Sequence, residues 1–233
     1  MGVYRFADLI FKIENKDNFT EKLCKDYAID SKSDIVISVT KEDIDYESTK
    51  SEDNFPFGYL ESLAIYRMIA ESVLEFNTFL FHSSALEVDG EAYLFTAPSG
   101  TGKSTHAKLW KEFFKDRAVI INDDKPLLGF RRDGIYVYGT PWCGKHGLQT
   151  NKKVKIKAVC ILEQGIENSI RQMTFSESYP MILNQTYRPN DKEKMIKTLE
   201  LVNGFIECIP IYKLCCNISE EAVKVAYQGM NKN

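Results

Sequence analysis

The chain lacks three features that would place it in common functional classes: a charge excess, a long apolar run and paired cysteines. Its 233 residues carry 30 Lys and Arg against 33 Asp and Glu, so the formal net charge is −3. Such a chain has no broad positive field for double-stranded nucleic acid. No apolar run is long enough to cross a bilayer, and residues 1–8 lack the apolar core of a signal peptide. We therefore expect a cytoplasmic protein that binds neither nucleic acid nor membrane.

The six cysteines form no C-x-x-C pair and have no histidine at zinc-binding spacing. This pattern favours reduced, mostly buried thiols over a disulfide or metal role. Cys143 differs because it lies between Gly139 and Gly147, in a segment that also holds Lys145 and His146. The glycines would let this segment close over a substrate, and an ordinary long turn is the other interpretation. The sequence leaves both open.

Length and a hydrophobic content of 44% indicate one domain with an appendage. We predict a small α+β portion over residues 1–55 and a larger second domain over residues 56–233. In the first portion the patterns predict a strand over 4–13, a helix over 18–27, a strand over 34–40 and an acidic surface loop over 43–54. A core-facing helix is predicted over 57–76.

The most informative segment is residues 97–104, which read Ala-Pro-Ser-Gly-Thr-Gly-Lys-Ser. An aromatic and β-branched run over 93–96 precedes it, and a helical pattern over 105–115 follows. Strand, glycine loop and helix thus occur in the order of a phosphate-binding loop. Gly100 and Gly102 can take backbone angles that point successive N–H groups at one anion, and the helix N-terminus adds partial positive charge. The combination favours nucleotide binding over a simple glycine-rich turn.

Each residue at the end of this loop receives a predicted role. Lys103 would reach the β and γ phosphates, and the hydroxyl of Ser104 would ligate a Mg²⁺ held between phosphates. The predicted nucleotide-binding residues are Ser99, Gly100, Thr101, Gly102, Lys103, Ser104 and Thr105. His106, two residues past Ser104, is interpreted as structural or solvent-facing.

The chain is predicted to enter this loop through an antiparallel hairpin. Strand-like runs over 79–88 and 91–96 flank Asp89-Gly90, a dipeptide typical of type I′ turns. The commonest phosphate-loop proteins instead reach that strand through a parallel crossover. His82 lies on the first predicted strand, either near a transferred group or as a neutral core histidine.

Two carboxylates follow the next predicted strand, over 118–121, which ends in Asn122-Asp123-Asp124. Ligands of open α/β sheets bind at such carboxyl ends. Phosphoryl transfer needs a metal ligand and a carboxylate near the attacking hydroxyl, so one Asp would serve the metal and the other the acceptor proton. An exposed strand-to-turn pair is the alternative. The loop upstream favours the catalytic interpretation.

The rest of the chain yields predicted elements without functional residues. A second type I′ hairpin is predicted around Asp133-Gly134, between strands over 127–130 and 135–138. Lys153, Lys155 and Lys157 alternate with apolar residues, as on the solvated face of a strand, predicted over 154–162. Helices over 177–187, 191–202 and 220–228 and a strand over 209–215 complete the prediction.

Taken together, His82, the Ser-Gly-x-Gly-Lys-Ser core over 99–104 and Asp123-Asp124 resemble HPr kinase/phosphorylase and the related ATP-type phosphoenolpyruvate carboxykinases. The chain resembles more the small HPr-kinase-like proteins, some of which phosphorylate ribosomally made peptides at serine, and a relative that acts on free serine is also conceivable. The resemblance implies an α/β fold with a mixed sheet, a site for ATP and Mg²⁺, and phosphoryl transfer. It implies that Lys103 contacts the phosphates, Ser104 and Asp124 hold the metal, Asp123 is the base and His82 is a neighbour in the active site.

Three departures leave the acceptor and a reverse phosphorylase activity open, and the first is an N-terminal part that is shorter than the separate domain of HPr kinases. The Glu-x-Arg-Gly signature of HPr kinases is missing downstream, and Thr105 replaces the acidic residue after their loop. The expected acceptor is therefore a hydroxyl, with serine favoured, on a peptide, a protein or a small molecule. A nucleotide-binding regulator or chaperone without phosphoryl transfer is the alternative. Proteins of this kind often assemble, so a homo-oligomer also stays open.

Overall fold

In the computed structural model the chain divides into two compact units, Met1–Phe76 and Asn77–Asn233. The structure describes residues 1–33, 35–50, 52–144 and 146–232. The division falls after Phe76, whereas the sequence placed it after residue 55. The physical reason is the helix over Phe57–Ser72, which packs against helices and a strand of the first unit.

The first unit is a small sheet covered by helices. Its elements are β1 (Gly2–Phe6), β2 (Leu9–Glu14), α1 (Phe19–Leu23), β3 (Ile35–Ser38), α2 (Lys41–Ser48) and α3 (Phe57–Ser72), with single 3₁₀ turns at Lys25–Tyr27 and Val73–Phe76. β1 pairs antiparallel with β2, and β2 pairs parallel with β3. Phe6, Phe11 and Tyr27 are buried in its core.

The predicted single strand over 4–13 is wrong, because the chain turns back within it. Ala7 and Asp8 both have positive φ, 50° and 67°, and Phe6 pairs with Leu9 across the turn. Type I′ turns favour Asn and Gly at these positions, so Ala-Asp gave no recognisable signal. The apolar residues on either side read as one continuous strand.

The predicted acidic loop over 43–54 is also wrong, because its first half is α2. The Thr40 side chain accepts from the Asp43 N–H at 3.2 Å, and the Asp43 carboxylate accepts from the Thr40 N–H at 3.0 Å. This capping box satisfies two N–H groups at the helix start, and the acidic first turn complements the helix dipole. Thr-x-x-Asp was the signal that the sequence interpretation overlooked.

The second unit carries helices packed on a mixed sheet. Its elements are β4 (Thr78–Leu80), β5 (Ser84–Val88), β6 (Glu91–Thr96), α4 (Lys103–Phe114), β7 (Ala118–Asn122), β8 (Leu127–Arg131), β9 (Gly134–Tyr138), β10 (Lys153–Gln164), β11 (Ser169–Gln172), α5 (Phe175–Gln185), α6 (Lys192–Cys208), β12 (Ile211–Cys216) and α7 (Glu220–Met230). The strand order is β4-β8-β9-β10-β6-β5-β7, with β12 paired to β10 and β11 paired to β12. This arrangement confirms the predicted α/β class with a mixed sheet.

The long strand β10 organises this sheet. Its residues 153–155 pair antiparallel with β9, and its residues 159–164 pair parallel with β12. β6 pairs parallel with β10. The carboxyl ends of β6, β10 and β12 therefore meet at one edge, where ligands of α/β sheets bind. The glycine loop after β6 lies at this edge.

A cluster of aromatic side chains fixes α4 on the sheet. Trp110 is fully buried, with its ring 5.1 Å from the rings of both Tyr93 and Phe95 on β6. Burying a side chain of this size stabilises the fold by about 2–3 kcal/mol. The packing sets the position of the start of α4, which begins at Lys103, earlier than the predicted start at residue 105.

The two predicted type I′ hairpins have different outcomes. Asp89 and Gly90 have φ of 52° and 88°, as such a turn requires, so the first is confirmed. In the second, Arg131 pairs with Gly134, so the turn residues are Arg132 and Asp133. Neither of these has positive φ, so the predicted turn type is wrong although the hairpin exists.

The remaining predictions agree in outline. Lys153 and Lys155 of β10 are exposed and Lys157 is partly exposed, while the apolar residues between them are buried, as expected for a half-buried strand. β11 was not predicted, and α6 extends to Cys208 rather than to residue 202. All six cysteines are free thiols, of which Cys24, Cys143 and Cys160 are buried. Within the described ranges, every helix is too short or too polar to cross a bilayer.

Candidate active site

The glycine loop between β6 and α4 has the backbone that its sequence predicts. Gly100 has φ 81°, and Gly102, the N-cap of α4, has φ 111° and ψ 23°. A Cβ at either position would meet nothing within 4 Å, so glycine is required by backbone angle rather than by space. The first N–H groups of α4 therefore open onto the loop, where they favour an anion.

Lys103 lies beneath the loop. Its side chain is 8% exposed, and its Nζ donates to the carbonyl oxygens of Ala97 at 2.9 Å and Pro98 at 3.5 Å. Burial lowers the pKa of the amine, and the charges of Asp124 and Asp123 oppose that shift. The amine thus lies against the loop carbonyls at a cavity that Asp123 and Asp124 also line.

Hydrogen bonds of Thr101 hold the glycine loop against the sheet. The Thr101 hydroxyl donates to the Pro98 carbonyl at 2.9 Å, and the Gln164 amide at the end of β10 donates to the Thr101 carbonyl at 3.2 Å. These bonds hold the loop against the edge where the parallel strands end.

A cavity of about 590 Å³ brings most of the predicted site residues together. Its lining residues are His82, Ser99, Gly100, Gly102, Lys103, Ser104, Thr105, Asp123, Asp124, Gly144 and His146. Thr101, predicted with this group, lines cavities on the other side of the loop instead. Residues from segments that are far apart along the chain therefore line one cavity, and their functional roles stay predictions.

Asn122 positions the acidic pair, and the sequence interpretation gave it no role. Its buried side-chain oxygen accepts from the N–H groups of Asp124 at 2.9 Å and Lys125 at 2.7 Å. Its amide nitrogen donates to the Thr140 carbonyl at 2.9 Å. This Asx turn bends the chain at the end of β7, so that both carboxylates reach the cavity. Asn directly before Asp-Asp was the available signal.

The Asp123 carboxylate is 6% exposed and oriented by a serine. Its Oδ1 accepts from the Ser84 hydroxyl at 2.7 Å. Ser84 is fully buried at the start of β5, which pairs antiparallel with β7. The carboxylate is thereby held in one orientation at the cavity wall.

His82 does not lie on a strand, so its predicted location is wrong. The strand predicted over 79–88 is interrupted, because its two halves belong to different parts of the sheet. β4 pairs with β8, whereas β5 pairs with β6 and β7. His82 lies between these two strands. Its backbone N–H donates to the Gln185 carbonyl at 2.7 Å, and its backbone carbonyl accepts from the Thr96 hydroxyl at 2.8 Å. The side chain is 34% exposed and lines the cavity, unlike a buried core histidine.

The His82 ring contacts Asp124, with Nε2 3.1 Å from Oδ1. Burial raises the pKa of Asp124, but the hydrogen bond from His82 and the nearby charges of Lys125 and Lys103 outweigh it, so the pKa lies below its usual value. Asp124 is therefore ionised at neutral pH and suited to bind a cation.

Replacing His82 by Ala is expected to raise the pKa of Asp124. The variant loses the hydrogen bond that lowers this pKa, whereas the burial that raises it stays. Carboxyl ¹³C NMR titration of wild type and His82→Ala measures the shift. His146→Ala, at another histidine of the same cavity, is the control and should leave the Asp124 titration in place. A pKa that stays unchanged in His82→Ala would show that His82 does not hold the carboxylate ionised.

The glycine-containing segment 139–147 also reaches the site. Gly144 has φ 67°, and a Cβ there would lie 3.2 Å from the Asp124 Cβ, so glycine suits both angle and space. Burial, and then the charges of Asp123 and Asp124, raise the pKa of the Cys143 thiol, which keeps it protonated. Lys145 lies outside the described residues. Closure of this segment over a substrate stays a prediction.

His106 is structural, as one of its predicted alternatives had it. It is 3% exposed, and its Nε2 accepts from the Trp110 indole N–H at 3.0 Å. Burial lowers the pKa of His106 to about 4, so the ring is neutral at neutral pH.

This depressed pKa predicts a loss of stability in acid. The unfolded chain binds a proton at this histidine below pH 6.5, whereas the folded chain resists protonation down to about pH 4. The stabilisation is therefore full above pH 6.5 and is lost as the pH falls toward 4, by about 3 kcal/mol. Urea unfolding of wild type and His106→Gln from pH 7 to pH 4 measures it, since the variant should lose this part of the pH dependence. Parallel curves for the two proteins would contradict the assignment.

The donor chemistry of the site fits Mg²⁺. The Ser104 hydroxyl and the Asp124 carboxylate line the same cavity and supply the hard oxygen ligands that this ion prefers. In the described part of the chain, no three or more His, Cys, Asp and Glu side chains form a group that could hold a metal ion. Phosphate oxygens would have to complete the coordination.

Comparison with known proteins gives a family and a distant structural match. The model of the family described as SynChlorMet cassette protein ScmC matches residues 59–224 of this chain. Among solved structures, the Hpr(Ser) kinase/phosphatase from Coxiella burnetii matches with 11% sequence identity and a TM-score of 0.34, over 64% of this chain and 94% of that chain. A search of curated protein sequences finds no match.

Proposed function

The chain belongs to the SynChlorMet cassette protein ScmC family, and we propose that it is an ATP-dependent kinase. It transfers the γ-phosphoryl group to a hydroxyl, with serine favoured, of a peptide, a protein or a small molecule. The observation that carries the proposal is the convergence of Lys103, Asp123 and Asp124 on one cavity beside the glycine loop. A phosphate-binding cation, a buried carboxylate and an ionised metal-binding carboxylate are the groups that phosphoryl transfer requires.

The loop and Lys103 bind the phosphates. N–H groups around Gly102 and at the start of α4 donate to phosphate oxygens, and the helix dipole favours their negative charge. The Lys103 amine, now bonded to the Ala97 carbonyl, exchanges that bond for the β and γ phosphates. These fixed donors stabilise charge on the transferred group and hold it in line for attack.

Ser104 and Asp124 hold the magnesium ion. When bound, Mg²⁺ neutralises charge on the phosphate oxygens. His82 acts through Asp124: its hydrogen bond keeps the carboxylate ionised and oriented toward the cavity. His82 is thus a positioning residue in this proposal.

Asp123 accepts the proton of the acceptor hydroxyl. As that proton moves to the carboxylate, the hydroxyl oxygen forms a bond to the γ phosphorus, and the bond from the γ phosphorus to its bridging oxygen breaks. ADP leaves with the electron pair of the broken bond. The Ser84 hydroxyl, 2.7 Å from Asp123 Oδ1, holds the carboxylate ready for the incoming proton.

The family name describes a cassette protein, which supports a search for the acceptor among the products of the same cassette. The test incubates the protein with Mg²⁺ and γ-³²P-labelled ATP, using peptides encoded in neighbouring reading frames, HPr and free serine as acceptors. We expect phosphoserine in one acceptor and stoichiometric ADP. ATP that binds and never transfers its label to any of them would favour the regulator or chaperone alternative.

A further inference from the structure

A second cavity, of about 510 Å³, lies against the other side of the glycine loop. The loop itself, the first turns of α4, the end of β10 and the residues after β12 form its walls. The lining residues on which its chemistry depends are Thr105, Leu109, Leu162, Glu163, Gln164 and Ile218.

This cavity adjoins the proposed phosphate site across the loop and the start of α4. Gly100, Gly102 and Thr105 line both cavities. A molecule whose phosphates contact the loop from the side of Lys103 thus needs only to pass the start of α4 to reach the second cavity. The elongated shape of a nucleoside triphosphate suits two cavities that share a wall.

The charges of the two cavities differ. Among the described residues that line the second cavity, only Glu163 carries a charge at neutral pH. Its carboxylate forms an ion pair with Lys213 at 2.8 Å. His106 also lines it and is kept neutral by burial. Phosphates are therefore disfavoured there and favoured beside Lys103 on the other side of the loop.

The second cavity offers apolar surface from three separate elements. Leu109 belongs to α4, Leu162 lies near the end of β10 and Ile218 follows β12. Ile218 is 78% exposed, which is unusual for a large apolar side chain at the wall of a cavity. A planar ring bound there would cover this side chain and gain the energy of its burial.

We propose that the second cavity binds the base and ribose of the nucleotide, with Ile218 covering the ring. The inference rests on the proposed kinase function, because it takes the triphosphate to lie at the Lys103 side of the loop. The loop and the start of α4 then separate the nucleoside from the reacting phosphate.

The test compares two ligands and two variants by isothermal titration calorimetry with Mg²⁺. The ligands are ATP, which carries a nucleoside, and inorganic tripolyphosphate, which does not. The variants are Ile218→Ser and the matched control Ile166→Ser, since Ile166 is 92% exposed and does not line the cavity. Both changes are at exposed positions, so the fold should be retained.

We expect wild type to bind ATP more tightly than tripolyphosphate. Ile218→Ser should weaken ATP binding about tenfold, equivalent to about 1.4 kcal/mol, and leave tripolyphosphate binding unchanged. Ile166→Ser should change neither.

Three results would contradict the assignment of the nucleoside cavity, and only one of them would also contradict the proposed kinase function. Equal affinity of wild type for ATP and tripolyphosphate, or unaltered ATP binding in Ile218→Ser, would overturn the nucleoside cavity and leave the proposed kinase in place. Failure of wild type to bind either ligand would overturn the proposed function, and this inference with it.

Discussion

Asp123→Asn is expected to lower kcat for phosphoryl transfer by about 10² to 10⁴-fold and to leave ATP affinity nearly unchanged. Asn has the same shape and keeps an oxygen to accept from Ser84, 2.7 Å away in wild type. It cannot accept the proton of the acceptor hydroxyl. Steady-state kinetics with the acceptor found by label transfer measure kcat, and calorimetry measures ATP affinity.

Asp116→Asn is the matched control, because it makes the same chemical change at an exposed aspartate outside the site. Its kcat should equal that of wild type. If Asp123→Asn transferred phosphate as fast as this control, Asp123 would not be the base.

Lys103→Met is expected to weaken ATP binding by about 10- to 100-fold, because charge-assisted hydrogen bonds to phosphate contribute about 1.5–3 kcal/mol. Met keeps the length of the side chain and fills the buried space under the loop, where Lys103 is 8% exposed. Calorimetry with Mg·ATP measures the loss of affinity, and thermal unfolding shows whether the variant is folded.

Lys108→Met on the same helix is the control, since Lys108 is partly exposed and does not line the phosphate cavity. Its ATP affinity should match wild type. A folded Lys103→Met that binds ATP as tightly as Lys108→Met would remove Lys103 from the phosphate site.

The local parts of the site were predictable from sequence because each depends on neighbouring residues. Gly100 and Gly102 mark the loop through their backbone freedom, and Asp89-Gly90 marks the hairpin that leads to it. Asp123-Asp124 follows a short apolar run that reads as a strand. Each of these patterns is complete within about ten residues, so no long-range contact was needed to recognise it.

The parts that depend on distant partners were not predictable. His82 lies in a break because β4 pairs with β8, whose residues come more than forty positions later. Leu162 and Ile218 reach the loop only through the pairing of β6, β10 and β12. Periodicity cannot show such pairings, since it reports only which face of an element is buried.

The presence of a triphosphate at the loop around Gly102 is the central claim. Calorimetric titration of the wild-type protein with Mg·ATP tests it most directly. We predict saturable binding of one ATP per chain, weakened when Lys103 is replaced. No detectable uptake of ATP at millimolar concentration would contradict the claim and the functional proposal built on it.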